Sequence, residues 1–171
     1  MIRNEIDALL EEGDNILDLG CGTAQHTLHL WKRCVYVDAY GPYLKEILKQ
    51  KPWAHVLMVE LPIYLEIVVP GTKWDVVLAL DVVEHLERKA AEEMVGLMED
   101  LARKKVVILT PVGFLQQADG LDWGKGNPKW QKHRCGFKRE YFEKRGYEIK
   151  TFPGDDQHGR EYEMMFCVKV I

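Results

Sequence analysis

The stretch Asn15-Ile16-Leu17-Asp18-Leu19-Gly20-Cys21-Gly22-Thr23 constrains this chain more than any other. A short apolar run ending in an acid and two closely spaced glycines is poorly suited to ordinary core strand. Ile16, Leu17 and Leu19 suit a strand buried on both faces. Gly20 and Gly22 then allow backbone angles, and a closeness of approach to a ligand, that a Cβ would prevent. The amphipathic segment from Ala24 to Arg33 is expected to begin a helix whose free N–H groups face the same space.

Gly20-Cys21-Gly22-Thr23-Ala24-Gln25 places Gln25 where a dinucleotide-binding fingerprint carries its third glycine, which argues against a nicotinamide site. The pattern instead resembles motif I of the class I S-adenosylmethionine-dependent methyltransferases, a strand followed by Asp-x-Gly-x-Gly. Val35-Tyr36-Val37-Asp38 resembles the strand whose terminal acid meets the ribose hydroxyls, Val56-Leu57-Met58-Val59-Glu60 the adenine-side strand, and Trp74 to Leu80 motif IV. The resemblance implies a doubly wound, seven-stranded, mostly parallel α/β sheet, the Rossmann-like methyltransferase fold, with an antiparallel C-terminal hairpin. It also implies S-adenosylmethionine as cofactor, with contacts at Asp18, Gly20, Cys21, Gly22, Asp38, Ala39, Glu60, Leu61 and Leu80.

A length of 171 residues suits one domain spanning 1–171. No apolar run approaches the ~20 residues of a membrane span, and Met1-Ile2-Arg3-Asn4-Glu5 lacks the apolar core of a signal peptide, so a soluble, cytoplasmic protein is expected. Cys21, Cys34, Cys135 and Cys167 are scattered, which indicates neither a disulfide framework nor a cysteine zinc site. The formal net charge of −4 argues against a broad nucleic-acid surface.

Apolar spacing predicts an amphipathic helix over Met1–Glu12, a second over Tyr43–Lys51, a short one over Leu61–Val69 and the longest over Val83–Arg103. Between Val106-Val107-Ile108-Leu109 and Phe137 the alternation stops. A loop of this length, about 112–137, is usually functional. A helix over Lys138–Arg145 and strands over Tyr147–Phe152 and Met164–Ile171 complete the pattern.

Chemistry concentrates in two places. Asp81, Glu84 and His85 are spaced to share one helix face at the carboxyl end of the motif IV strand, and three readings stand. Asp81 and Glu84 form a capping box; or His85 is the base toward a substrate hydroxyl or thiol; or the run resembles the acid-x-x-Glu-His segment of ubiquinone-biosynthesis and small-RNA O-methyltransferases. That last resemblance implies Asp81, Glu84 and His85 as ligands of a divalent metal, with His133 as a distant fourth. A metal is not expected, although the donor set admits one. The loop carries Trp123, Trp130 and Arg134 as candidate contacts to an anionic or sugar-like substrate, and His133 as a further catalytic candidate.

The function expected is methyl transfer to a small-molecule acceptor, at oxygen. The alternative is a catalytically silent, methyltransferase-like subunit acting through a protein partner. Residues before motif I are few, so self-association into a homo-oligomer is one way to close the site.

Overall fold

Strand β1 (Ile16–Leu19) lies at the centre of the molecule with every residue buried. It pairs in parallel with β2 (Cys34–Asp38) on one side and β4 (Trp74–Leu80) on the other. The computed structural model describes residues 2–61, 72–117, 126–155 and 161–171. Beyond β2 lies β3 (His55–Met58), and beyond β4 lies β5 (Ala102–Pro111), both parallel to their neighbours. The hairpin of β6 (Glu148–Asp155) and β7 (Glu161–Val170) completes the sheet by pairing β7 antiparallel to β5. The order β3-β2-β1-β4-β5-β7-β6 is that of the expected seven-stranded fold.

Period-two alternation divides the strand side chains between two cores. Leu17, Leu19, Val77, Ala79, Val106 and Ile108 face one side, with Met94, Val95 and Met98 of helix α3 (Arg88–Leu101) and Phe142 of α5 (Arg139–Glu143). Ile16, Val76, Leu78, Val107 and Leu109 face the other, with Ile6 of α1 (Ile2–Leu9) and Leu44 and Ile47 of α2 (Gly41–Gln50). Burial on both faces explains why β1 and β4 read as unbroken apolar runs. Pro42 in the first turn of α2 lacks only an N–H that had no helical partner to give up.

Two expected helices differ from the structure. In place of a helix over Ala24–Arg33 there are turns and a single 3₁₀ turn, Leu28–Leu30. Ala24 sits at φ +56°, outside the helical region, and Thr27 turns its hydroxyl inward to Asp18. The helix expected over Val83–Arg103 divides into a 3₁₀ turn, Val83–His85, and α3, while Ala102 already belongs to β5. Of the segment expected as helix over Leu61–Val69, all but Leu61 lies outside the described residues, as does Met1. The loop after β5 contains one turn of helix, α4 (Pro128–Gln131), with Asn127 accepting the Lys129 amide at 2.9 Å as its cap.

Candidate active site

The carboxyl ends of β1, β2 and β4 open into a cavity of about 550 Å³, inside the usual range for small-ligand sites. Its first wall is the glycine loop. Gly20 at φ +64° and Gly22 at φ +54° both need the left-handed region, and a Cβ on Gly20 would lie 2.6 Å from Val82 Cγ2. A Cβ on Gly22 would meet nothing within 4 Å, so this glycine faces open space.

Asp38 forms the second wall. Its Oδ2 accepts the Gly22 amide at 2.9 Å and its Oδ1 the Tyr40 amide at 2.7 Å, which fixes the carboxylate between β1 and α2. Burial raises its pKa, opposed by these amide donors. Beneath the loop Asp18 is 2% exposed. The Thr27 hydroxyl donates to its Oδ2 at 2.5 Å, while Oδ1 has no partner. Burial pushes this carboxyl up to about 7. Cys21, Ala39, Glu60, Leu61 and Leu80 also line the cavity.

His85 of the Val83–His85 turn and Trp130, Gln131 and Arg134 of the segment 126–135 also line the cavity. Glu84 is 2% exposed and its Oε2 accepts the Thr110 hydroxyl at 3.0 Å. Its backbone carbonyl accepts the amides of Arg134 at 2.8 Å and Cys135 at 3.1 Å, which draws the distant loop onto the turn. The rings of His85 and His133 lie 4.9 Å apart. His133 donates from Nδ1 to the Leu115 carbonyl at 2.8 Å, which leaves Nε2 with its lone pair in the neutral ring. Burial, reinforced by His133, lowers His85 to about 4, and burial also lowers His133. Nδ1 of His85 is buried without a partner.

This geometry alters several sequence expectations. Asp81 is exposed at φ +58°, and the cap position of the following turn is Val82 with no side-chain cap, so no capping box forms. Among the described residues the convergent metal-ligating group is Glu84, His85 and His133, with ligand atoms within 4.8 Å of one another. His133 takes the place expected for Asp81. Arg134 spends Nη1 on the His85 carbonyl and Nη2 on the Lys129 carbonyl, both within 2.8 Å. It staples the loop to the turn rather than presenting a free fork to the cavity. Trp130 does line the cavity, with Lys129 Nζ 4.0 Å above its ring centroid, and Trp123 lies outside the described residues. Tyr43, Thr27 and Gln131 also line the cavity, and no sequence pattern marked them.

Residues 17–104 match the family of methyltransferase domains. That span is more than half of the chain, and the chain belongs to this family: it is a class I S-adenosylmethionine-dependent methyltransferase. Similar solved structures include magnesium protoporphyrin IX methyltransferase from Synechocystis PCC 6803 with bound SAH, 17% identical over 98% of this chain and 80% of that one, with a TM-score of 0.64. A methyltransferase from Methanosarcina mazei is 11% identical over 97% of this chain and 96% of its own, with a TM-score of 0.70. One from Archaeoglobus fulgidus is 17% identical over 97% and 90%, with a TM-score of 0.67. At these identities the likeness is one of fold. No protein with a curated description matches the chain. A silent binding subunit finds no support in these comparisons. Among the described residues no helix is long and apolar enough to cross a membrane.

Proposed function

We propose that the chain transfers the methyl group of S-adenosylmethionine to an oxygen of a small-molecule acceptor. The observation that carries this reading is the convergence of Glu84, His85 and His133, of which His85 lines the same cavity as Asp38. In this reading Gly20, Cys21 and Gly22 accept the methionine portion against bare backbone. Asp38 with Ala39 receives the ribose, and Glu60, Leu61 and Leu80 border the adenine. The unpaired Oδ1 of Asp18 suits the cofactor's ammonium group, which would satisfy a buried lone pair. Trp130 offers the acceptor a flat apolar face at the mouth.

Alignment supplies most of the rate, since holding donor and nucleophile in line lowers a barrier by roughly 7–11 kcal/mol. His85, a neutral imidazole on the cavity wall, takes the proton that an acceptor hydroxyl must lose, and His133 supports it from 4.9 Å. A hydroxyl needs such help, whereas a neutral amine does not. The chain's acidic balance and the absence of Asn/Asp-Pro-Pro-Tyr after β4 favour a small molecule over the exocyclic amine of a nucleic-acid base.

A second reading is favoured by the donor set itself. A buried Glu84 carboxyl and two neutral imidazoles, with Nδ1 of His85 left without a partner, fit a divalent cation, which Glu84, His85 and His133 would hold. Such an ion lowers the pKa of a bound hydroxyl and orients it. Methyl transfer from labelled S-adenosylmethionine to hydroxyl, thiol and amine compounds, in chelator and then with Mg²⁺ or Mn²⁺, tests both readings. Transfer to oxygen in chelator supports His85 as base, and transfer that needs the ion supports the ligand role. Transfer to nitrogen alone overturns the proposal.

A further inference from the structure

The segment 126–135 contributes Trp130, Gln131 and Arg134 to the cavity wall and is tied both to the Val83–His85 turn and to α2. At the acceptor end Arg134 and Cys135 bond the Glu84 carbonyl. On its outer side the Gln117 side chain brackets it, donating to the Gln131 carbonyl at 2.8 Å and accepting the His133 amide at 2.8 Å. At the opposite end the Gln131 side-chain amide donates to the Tyr43 hydroxyl at 2.5 Å.

Tyr43 stands in the first turn of α2, whose start is fixed by the Tyr40 amide on Asp38 Oδ1, and its ring meets Tyr40 edge-on at 5.0 Å. Tyr43 and Gln131 both line the cavity. Their bond therefore spans it, from the helix that follows Asp38 to the segment that carries His133 two residues beyond Gln131. Gly126 fits this arrangement, because a Cβ there would overlap the Gln131 side-chain amide. The backbone at 126 has to be bare for Gln131 to lie in its bonded position.

We propose that Tyr43 and Gln131 are positioning residues that form a latch across the cofactor cavity. Closed, the latch retains the cofactor and, through the same short segment, seats His133 against His85. The second half of this statement rests on the acceptor-end reading given above, and the first half does not. A cofactor that enters beside Asp38 has to pass under Gln131, so its exchange requires the bond to open. An acceptor meets an assembled His85–His133 pair only when the bond has closed again.

The test is the dissociation rate of S-adenosylhomocysteine, followed by stopped flow on the full chain, in Tyr43→Phe, Gln131→Met and the double variant. Both substitutions keep size and remove only the bond. The latch predicts that each single variant releases the product about three- to tenfold faster, and that the double variant is no faster than either, because the two residues act through one bond. Gly126→Ala, which keeps both partners but pushes its methyl against the Gln131 amide, should release it at a similarly raised rate. Trp130 adjoins Gln131 and lines the cavity, so its fluorescence should change on product binding in the native chain and change less in Tyr43→Phe, with Trp130→Phe identifying the signal. Unchanged release in all variants, or single effects that add in the double variant, overturns the latch. Since no acceptor is used, failure of the oxygen-acceptor reading would leave these rates as predicted, and failure of the latch would leave methyl transfer to oxygen untouched.

Discussion

The Gly22 amide donates to Asp38 Oδ2 at 2.9 Å, so the acid ending β2 also fixes the glycine loop that ends β1. One carboxylate thus shapes two walls of the cavity before any ligand arrives. Both its oxygens are held by amides, and the side chain lines the cavity.

Asp38→Ala removes this brace and the proposed ribose acceptor together. Hydrogen bonds to a charged group contribute ~1.5–3 kcal/mol, so affinity for S-adenosylhomocysteine should fall by about tenfold or more in a calorimetric titration. Unchanged affinity with an intact fold would remove Asp38 from the cofactor site.

The two loop glycines should fail in different ways. Alanine at either has to adopt a positive φ, at a cost of order 1–3 kcal/mol. At Gly20 the added methyl also collides with Val82, so Gly20→Ala should lower the urea midpoint more than Gly22→Ala. At Gly22 the methyl enters open space on the cavity wall, so its larger effect should be on cofactor affinity. Equal losses of stability in the two variants would contradict this assignment.

Asp18 sets a pH dependence. Its carboxyl is raised from the ordinary 3.8 to about 7 by burial, opposed by the Thr27 hydroxyl. A raised acid favours its protonated form in the folded state. Its contribution is therefore full below pH 3.8 and declines as pH rises toward 7, by about 1.4 kcal/mol for each pKa unit. Without ligand, native protein should lose stability relative to Asp18→Asn between pH 4 and pH 7, as read from urea midpoints. Parallel profiles for the two proteins would refute the assignment.

At the acceptor end, His85→Ala should slow transfer to an oxygen nucleophile by about 10²–10⁴-fold and barely change transfer to a neutral amine. Single-turnover rates with matched hydroxyl and amine acceptors read the difference. Equal slowing of both would place His85 in alignment rather than proton removal.

The sheet and the glycine-loop and Asp38 walls of the cavity were legible in the sequence because they rest on local signals: apolar runs, terminal acids and closely spaced glycines. The segment after Thr23 was not, because Thr27 gives its hydroxyl to Asp18 and its carbonyl to the Tyr36 hydroxyl, two tertiary bonds that overrule helical spacing. The Asp81–Glu84 spacing resembled a cap, yet Asp81 adopts φ +58° and Glu84 turns inward to Thr110. His133 was a distant candidate at best, since it follows His85 by 48 residues and tertiary bonds, from the loop to the Glu84 and His85 carbonyls, bring the two rings together. Tyr43 looked like an ordinary helix residue, and its place over the cavity depends on a partner 88 positions away.

The most direct test of the proposed function follows the methyl group itself. The native chain, given S-adenosylmethionine labelled in its methyl group and a panel of small hydroxyl, thiol and amine compounds, should place the label on oxygen, as located by nuclear magnetic resonance of the product. Label found only on nitrogen, or only on nucleic acid or protein supplied in competition, would contradict the account.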